Sequence, residues 1–383
     1  MKQVTKPNNC TGCQACRWLC PNQCINMKED NEGFHVPQIN EKYCTDCGVC
    51  VSQCPQNTNL AYNKCIKVLG ARYKDDAVLS KSASGGVFAG IAKYILDIPG
   101  SAVFGCALNE NIVACHIAVY DFANIEPLQN SKYVQSDVGD SYKQSKLLLD
   151  DKNIVFYSGT PCQIAGLYAF LGRDYSNLLT ADLICHGVPS PLLFKKYIIW
   201  LSKKYNEKIS SYSFRCKEKN NKSNRGIVIK TKTKTKTQDA TIDPYFCSFL
   251  SNKTLRECCY KCKYTNSCSP ADITLGDFWG IEKAHPGFSD RRGVSVVLIN
   301  TLKGEELTKK IRKNFSFIDS TFEIAASENV SLKKPHSRHA LRDTVYKEIH
   351  NESIDIFKTR PFRVNYVVVI AKKVLKKCYH LVK

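Results

Sequence analysis

Residues 10–21 read C-T-G-C-Q-A-C-R-W-L-C-P, and residues 44–55 read C-T-D-C-G-V-C-V-S-Q-C-P. Each is a C-x2-C-x2-C-x3-C-P run, the spacing that holds [4Fe–4S] clusters in bacterial two-cluster modules. The short spacers let three thiolates converge on one cubane, while the fourth cysteine, on the following helical turn, reaches across to the other cluster. The expected ligands are Cys10, Cys13, Cys16 and Cys54 for cluster one, and Cys44, Cys47, Cys50 and Cys20 for cluster two. Pro21 and Pro55 follow the last cysteine of each run, where a fixed φ and a missing N–H turn the chain away. Structural zinc is the alternative, but four-thiolate zinc sites commonly use two separated C-x2-C pairs.

The two runs are an internal repeat. Between them G-F-H-V-P-Q-I-N (33–40) alternates like a short strand and suits a hairpin. Cys24 and Cys65 lie outside both runs and read as small buried residues. A module with so little apolar content needs its clusters to fold. Two one-electron centres in a small module form a short wire, and a wire needs something at its far end.

The chain has 383 residues and 43% hydrophobic content, enough for a substantial core beside the small module. Its 21 cysteines, spaced C-x-x-C and preceded by no hydrophobic signal region, point to metal ligation in a reducing compartment rather than to disulfides. No stretch reaches eighteen uninterrupted apolar residues, so a cytoplasmic protein is expected. Lys and Arg number 55 against 35 Asp and Glu, a formal charge of +20 that suits an anionic surface, an acidic protein or a polyanionic cofactor.

Beyond Cys65 the pattern is mixed helix and strand. S-K-S-A-S-G-G-V-F-A-G-I-A-K-Y-I-L (80–96) is a Ser/Gly loop feeding a helix, which reads either as an anion cradle or as an ordinary helix start. A-V-F-G-C-A-L and V-A-C-H-I-A-V-Y form an expected hairpin across N-E-N. The strand N-I-V-F-Y-S (153–158) runs into G-T-P-C-Q, and L-L-T-A-D-L-I (178–184) runs into C-H-G-V-P-S-P. Strand ends that feed glycine-rich turns are where α/β sheets place ligands. S-S-Y-S-F-R through G-I-V-I-K-T-K-T-K-T-K-T reads as antiparallel strands with a lysine face, an arrangement that guards an exposed edge. No aromatic residues interleave those lysines, so nucleic acid is not the expected partner.

In order, S-A-S-G-G, K-Y-V-Q-S-D, G-T-P-C-Q, C-H-G-V-P-S-P, C-Y-K-C and A-D-I-T-L-G-D-F-W-G run along nearly the whole chain. As a set, with the two-cluster module in front, they resemble the coenzyme F420 hydrogenase or dehydrogenase beta subunits, relatives of which include plant 7-hydroxymethyl chlorophyll a reductase. The fold this implies is α+β to α/β: an N-terminal bacterial 2[4Fe–4S] ferredoxin-like module, then a mixed α/β flavin-binding region. The implied division is 1–66 for the module, 67–150 and 151–320 for the N- and C-terminal domains of the beta subunit, and 321–383 for an extension with a basic tail.

The resemblance further implies a flavin, FAD, contacted by Ser84, Gly85, Gly86, Lys132, Tyr133, Gln135, Ser136, Gly159 and Thr160. Glycine and hydroxyl loops suit a pyrophosphate, and Lys132 suits the anion of a reduced flavin. A third [4Fe–4S] cluster falls on Cys162, Cys185, Cys259 and Cys262, with Cys258 and Cys268 as competitors and zinc as the alternative metal. Acid candidates are His186, beside Cys185, and Asp277 in G-D-F-W-G, each with a structural role as its plainer reading.

The function so implied is a flavin-dependent oxidoreductase that exchanges electrons between ferredoxin or a redox partner subunit and an undetermined small organic substrate, for which an F420-like molecule is one candidate. The rival is a non-catalytic electron-transfer subunit of a larger complex. The tail at 366–383, Y-V-V-V-I-A-K-K-V-L-K-K-C-Y-H-L-V-K, would as a helix lay Val and Leu on one side and Lys on the other, the pattern of peripheral membrane contact.

Overall fold

The computed structural model describes residues 2–58, 62–217 and 226–364. In the N-terminal module the sequence repeat becomes a repeat of backbone conformation. Gly12 and Gln14 have φ of 68° and 65°, and their counterparts Asp46 and Gly48 have 55° and 71°. These left-handed residues curl each cysteine loop, which then enters a short helix, Ala15–Leu19 in one run and Val49–Ser52 in the other. Strands β1 (Ile25–Glu29) and β2 (His35–Ile39) form the expected hairpin, with Ile25 opposite Ile39. The module's core is small and largely sulfur: Val4, Cys24, Ile25 and Cys54 are buried, with Cys16, Cys20, Cys44 and Cys50 packed around them.

The chain continues through β3 (Asn63–Lys64), β4 (Lys67–Tyr73), β5 (Ala102–Leu108), β6 (Ala114–Val119), β7 (Val155–Gly159) and β8 (Leu178–Leu183). After the Pro191–Tyr205 helix come β9 (Ile209–Cys216), β10 (Gly226–Thr231) and β11 (Thr235–Asp239). Then follow β12 (Cys268–Ser269), β13 (Ile273–Asp277), β14 (Ser295–Ile299) and β15 (Phe315–Ser320). One eight-stranded sheet runs β15-β4-β14-β13-β8-β7-β5-β6, with β5, β7, β8 and β13 parallel.

Both faces of that sheet are covered, which is why β5 and β7 read as near-continuous apolar runs. Val103 and Phe156 meet Ile91 and Ile95 of the Val87–Leu96 helix on one face. Phe104, Val155 and Tyr157 meet Tyr142, Ile164 and Leu167 of the Ser141–Asp150 and Pro161–Leu171 helices on the other. The alternation along each strand is the period-two rule of a pleated sheet.

Strands β9–β11 make a separate antiparallel sheet under the Pro191–Tyr205 helix, with Phe194, Tyr197, Tyr212, Phe214 and Tyr245 between them. The lysine face falls on the exposed turn and on edge strand β11, where charged side chains discourage further strand pairing. The expected boundary at 150/151 lies inside the eight-stranded sheet, where β4, from before it, sits between β14 and β15, from after it. Val345, Tyr346, Phe357 and Phe362 of the C-terminal stretch join the aromatic core. The tail at 366–383 lies outside the described residues, among which no helix is long and apolar enough to cross a membrane.

Candidate redox site

The parallel strands end on one side of the sheet, and cysteines gather there. Thr160 and Gln163 close a capping box at the end of β7, which seats Cys162 in the first turn of the Pro161–Leu171 helix. Cys185 follows β8. The turn after it holds Gly187 at φ 118°, and a Cβ on that glycine would stand 3.1 Å from the Cβ of Cys259. Cys259 lies in the Glu257–Lys261 turn and Cys262 caps it.

Three separate segments thus bring Cys162, Cys185, Cys259 and Cys262 close enough for their charges to act on one another. Burial pushes the Cys162 thiol up to about 11 and the Cys262 thiol to about 12, and it raises Cys185 as well. Cys259 is lowered, by its hydrogen bond with Cys258. Four half-buried, crowded thiols become thiolates together only beside a compensating cationic core, so this donor set fits an iron–sulfur cluster. Cys268, on β12, has its backbone paired with Lys64 of β3 and lines the same small cavity as Cys185.

In the module, Cys16 stands near Cys13, Cys10 and Cys54, with Cys50 acting on it less strongly, and Cys50 stands near Cys20, Cys47 and Cys44. Cys24 is buried, with its sulfur 3.3 Å from that of Cys20. No three His, Cys, Asp or Glu side chains among the described residues are grouped to hold a single metal ion.

The module docks with its first loop against the sheet's helices. A Cβ on Gly166 would stand 2.9 Å from the Cβ of Cys13, so only glycine lets the loop come this close. Cys13 and Cys162 both act on the hydroxyls of Tyr62 and Tyr264, whose rings lie 5.4 Å apart. The indole of Trp18 donates to the Gly139 carbonyl at 3.0 Å.

The nine flavin candidates fall along the same rim. Ser84 donates to the Val294 carbonyl, and the Gly85 N–H donates to Ser295 Oγ, which pins the Ser/Gly turn against β14; Gly86 then starts the helix at φ 77°. The Lys132 ammonium donates to the Pro127 and Gln129 carbonyls, and burial lowers it to about 8. Tyr133 packs against Phe214, Phe246 and Phe249. Gln135 turns to the module and donates to the Thr11 carbonyl, whereas Ser136 meets His116 and Gln163. Gly159 ends β7 and Thr160 caps the helix.

Two cations missed by the sequence reading join these groups. Arg215, at the end of β9, pairs with Asp277 at 2.7 Å and interacts with Tyr133. Lys217 donates to the Leu79 and Ser84 carbonyls, and burial lowers it to about 8. Their signal in the sequence was the R-C-K that closes an otherwise apolar and hydroxyl strand. Cations and hydroxyls around the Ser/Gly turn fit an anionic group such as a flavin pyrophosphate.

Residues 152–319, which contain all four cysteines of the third group, match the family model for the C terminus of the coenzyme F420 hydrogenase/dehydrogenase beta subunit. The chain carries that beta-subunit domain. Residues 9–58 match a 4Fe-4S dicluster domain, so the N-terminal module is an iron–sulfur module. The chain is 34% identical over 56 residues to the delta subunit of an NADH-dependent phenylglyoxylate dehydrogenase from Aromatoleum evansii, covering 15% of this chain. It spans about half (55%) of that relative's length. A chain of the F420-reducing [NiFe] hydrogenase complex from Methanosarcina barkeri, solved as a xenon derivative, superposes with a TM-score of 0.47 at 18% identity, covering 80% of this chain and 98% of that one. The protein is an iron–sulfur redox protein of mixed α/β fold.

Within the beta-subunit domain, His186 meets Phe249 edge-on and lies tilted against His336, whose ring centroid is 3.9 Å away, and its Nε2 is buried with no hydrogen-bond partner. Burial and then His336 lower it to about 4, so the ring is neutral at neutral pH. Asp182 lines a small cavity with Cys185, Ser269 and Asn300; burial raises its carboxyl to about 7, and Oδ1 has no partner. An acidic residue inside the apolar run L-L-T-A-D-L-I was the signal for it. Gly166→Val is expected to weaken the fit of module against beta-subunit domain by about 1–3 kcal/mol, the usual cost of overpacking. A lowered midpoint for thermal bleaching of the iron–sulfur absorbance checks this, and an unchanged midpoint would show that the module docks elsewhere.

Proposed function

We propose that this chain is an iron–sulfur flavoprotein oxidoreductase that links ferredoxin, or a redox partner subunit, to a small organic substrate. What carries the reading is the meeting of Cys162, Cys185, Cys259 and Cys262 beside Cys13 of the module, a wire leading from the surface to the rim of the sheet. Cys10, Cys13, Cys16 and Cys54 hold one [4Fe–4S] cluster, Cys44, Cys47, Cys50 and Cys20 a second, and the four rim cysteines a third. Lys132, Arg215, Lys217 and the Ser84–Gly86 turn hold FAD. Clusters exchange single electrons and a flavin exchanges hydride with an organic molecule, which is the chemistry these groups supply when bound.

The protein's own residues position and insulate. Gly166 admits the first cluster loop to the helix surface, and Tyr62 and Tyr264 exclude water from the gap between Cys13 and Cys162. Asp277 is oriented by Arg215, so a proton-transfer role for it requires that the pair open. His186, held neutral by burial, has no proton to give at neutral pH and is a weak base as well.

The second reading is a non-catalytic electron-transfer subunit, favoured by the similarity of 56 residues of this chain to a dehydrogenase delta subunit. Anaerobic purification with iron, sulfide, zinc and flavin measured per chain tests the first reading. About twelve irons and one flavin are expected. About eight irons without flavin, or stoichiometric zinc at the rim, would sink it.

A further inference from the structure

Arg256 opens the cysteine-rich segment R-E-C-C-Y-K-C, and its side chain is buried, with the residue 4% exposed. Nε donates to the Cys10 carbonyl at 2.7 Å, one Nη to Gln135 Oε1 at 3.0 Å, and the other to the His35 carbonyl at 3.0 Å. The ring of Phe34 lies 5.0 Å from the guanidinium carbon. Every one of these acceptors is neutral.

The protein's other deeply placed arginines are treated differently. Arg342, 2% exposed, pairs with Glu32, and Arg215 pairs with Asp277. Among the described residues no carboxylate is within ion-pairing distance of Arg256. A buried cation whose hydrogen-bond acceptors are all neutral is strongly unfavourable unless negative charge nearby compensates it. The charges that act on it most are, in order, those of Cys10, Cys258, the Asp30 carboxylate and Cys259, so three of the four are thiols, one from the first-cluster set and two from the rim segment. Arg256 also acts on Cys162.

We propose that Arg256 is the countercharge shared by the first cluster and the rim cluster, and that it raises the reduction potential of both. This rests on the three-cluster reading above. When a cluster takes up an electron its net charge becomes one unit more negative and no bond to the protein forms or breaks. A fixed cation in a low-dielectric site stabilises that reduced state. Shared by two clusters, the same cation lifts both potentials together and leaves the step between them unchanged. The second cluster, on Cys20, Cys44, Cys47 and Cys50, has no thiol among the groups that act on Arg256, and it serves as an internal control.

The test is a redox titration of the full-length, cluster-loaded protein followed by electron paramagnetic resonance, with dithionite as reductant. Arg256→Gln is expected to shift the oxidised-to-reduced ratio of two clusters at least tenfold toward oxidised, a fall of about 59 mV for one electron, while the third signal stays put. Arg256→Lys, which keeps the charge, recovers more than half of that shift. Gln135→Glu keeps the guanidinium in place and sets a carboxylate against it; it is expected to lower the same two potentials, and it decides the matter if Arg256→Gln loses iron. Three intact clusters with unmoved potentials in Gln135→Glu overturn the proposal alone. A parent protein with only two clusters overturns it together with the three-cluster reading.

Discussion

Cys259→Ser is expected to leave about eight irons per chain in place of about twelve, with the two N-terminal clusters intact. The hydroxyl of serine is a far weaker ligand for iron than a thiolate, because it stays protonated at neutral pH and is a hard donor. Cys259 is the thiol to remove because it is the neighbour common to Cys162, Cys185 and Cys262. The module's ligand sets share no cysteine with the rim, so its clusters should keep their absorbance and their signals. Bound flavin should no longer be reduced when the module is reduced, since the relay between them is gone. Cys268→Ser, on β12, is the control and should retain all the iron. If Cys259→Ser retains all of it too, Cys258, which is hydrogen-bonded to Cys259, is the ligand instead.

Arg342→Ala should be strongly destabilising, by about 1–3 kcal/mol, because the hydrogen bonds of a buried guanidinium are lost and Glu32, whose side chain is 31% exposed, is left unpaired. Arg342 donates to both oxygens of Glu32, in the turn between β1 and β2, with Nη1 at 2.7 Å, and its Nε donates to the Leu255 carbonyl. Glu257 lies 3.4 Å from Nη1, and the Tyr346 ring lies 4.5 Å from the guanidinium carbon. The residue therefore ties the N-terminal hairpin, the cysteine-rich segment and the Arg342–Glu348 helix to one point. Its loss leaves Glu32 without a cation, while Glu257 keeps its pair with Arg338. Anaerobic urea denaturation, followed by aromatic fluorescence, should show a lower midpoint for Arg342→Ala. The double variant with Glu32→Ala should recover part of the loss, because it removes the stranded charge. Equal stability of Arg342→Ala and the parent would mean that the pair is solvated and that the hairpin is held by other contacts.

Several of the expected flavin contacts are engaged by partners far away in the chain. The Ser/Gly turn at 84–86 reads locally as an anion cradle, yet Ser84 and Gly85 spend their own donors on Val294 and Ser295. The cations beside the turn, Arg215 and Lys217, come from a strand well over a hundred residues further along. Gln135 is an expected flavin contact by its place in K-Y-V-Q-S-D, and its amide holds the Thr11 carbonyl and Arg256. The division at 150/151 falls within one sheet, because β4 is hydrogen-bonded on both edges to strands from beyond it.

By itself the sequence determined the two-cluster module, the hairpin inside it, the order of strands and turns that followed, and the mixed α/β class. Those features depend on short-range geometry: spacers that curl a loop round a cubane, an alternation that suits a pleated strand, glycine where φ must be positive. Only the tertiary structure decided the order of strands in the sheet, the meeting of Cys162 and Cys185 with Cys259 and Cys262, the approach of Cys13 to Gly166, and the neutral surroundings of Arg256. Each of these is a contact between segments far apart in the chain, and its existence depends on how sheet faces and helices pack, which no local pattern encodes.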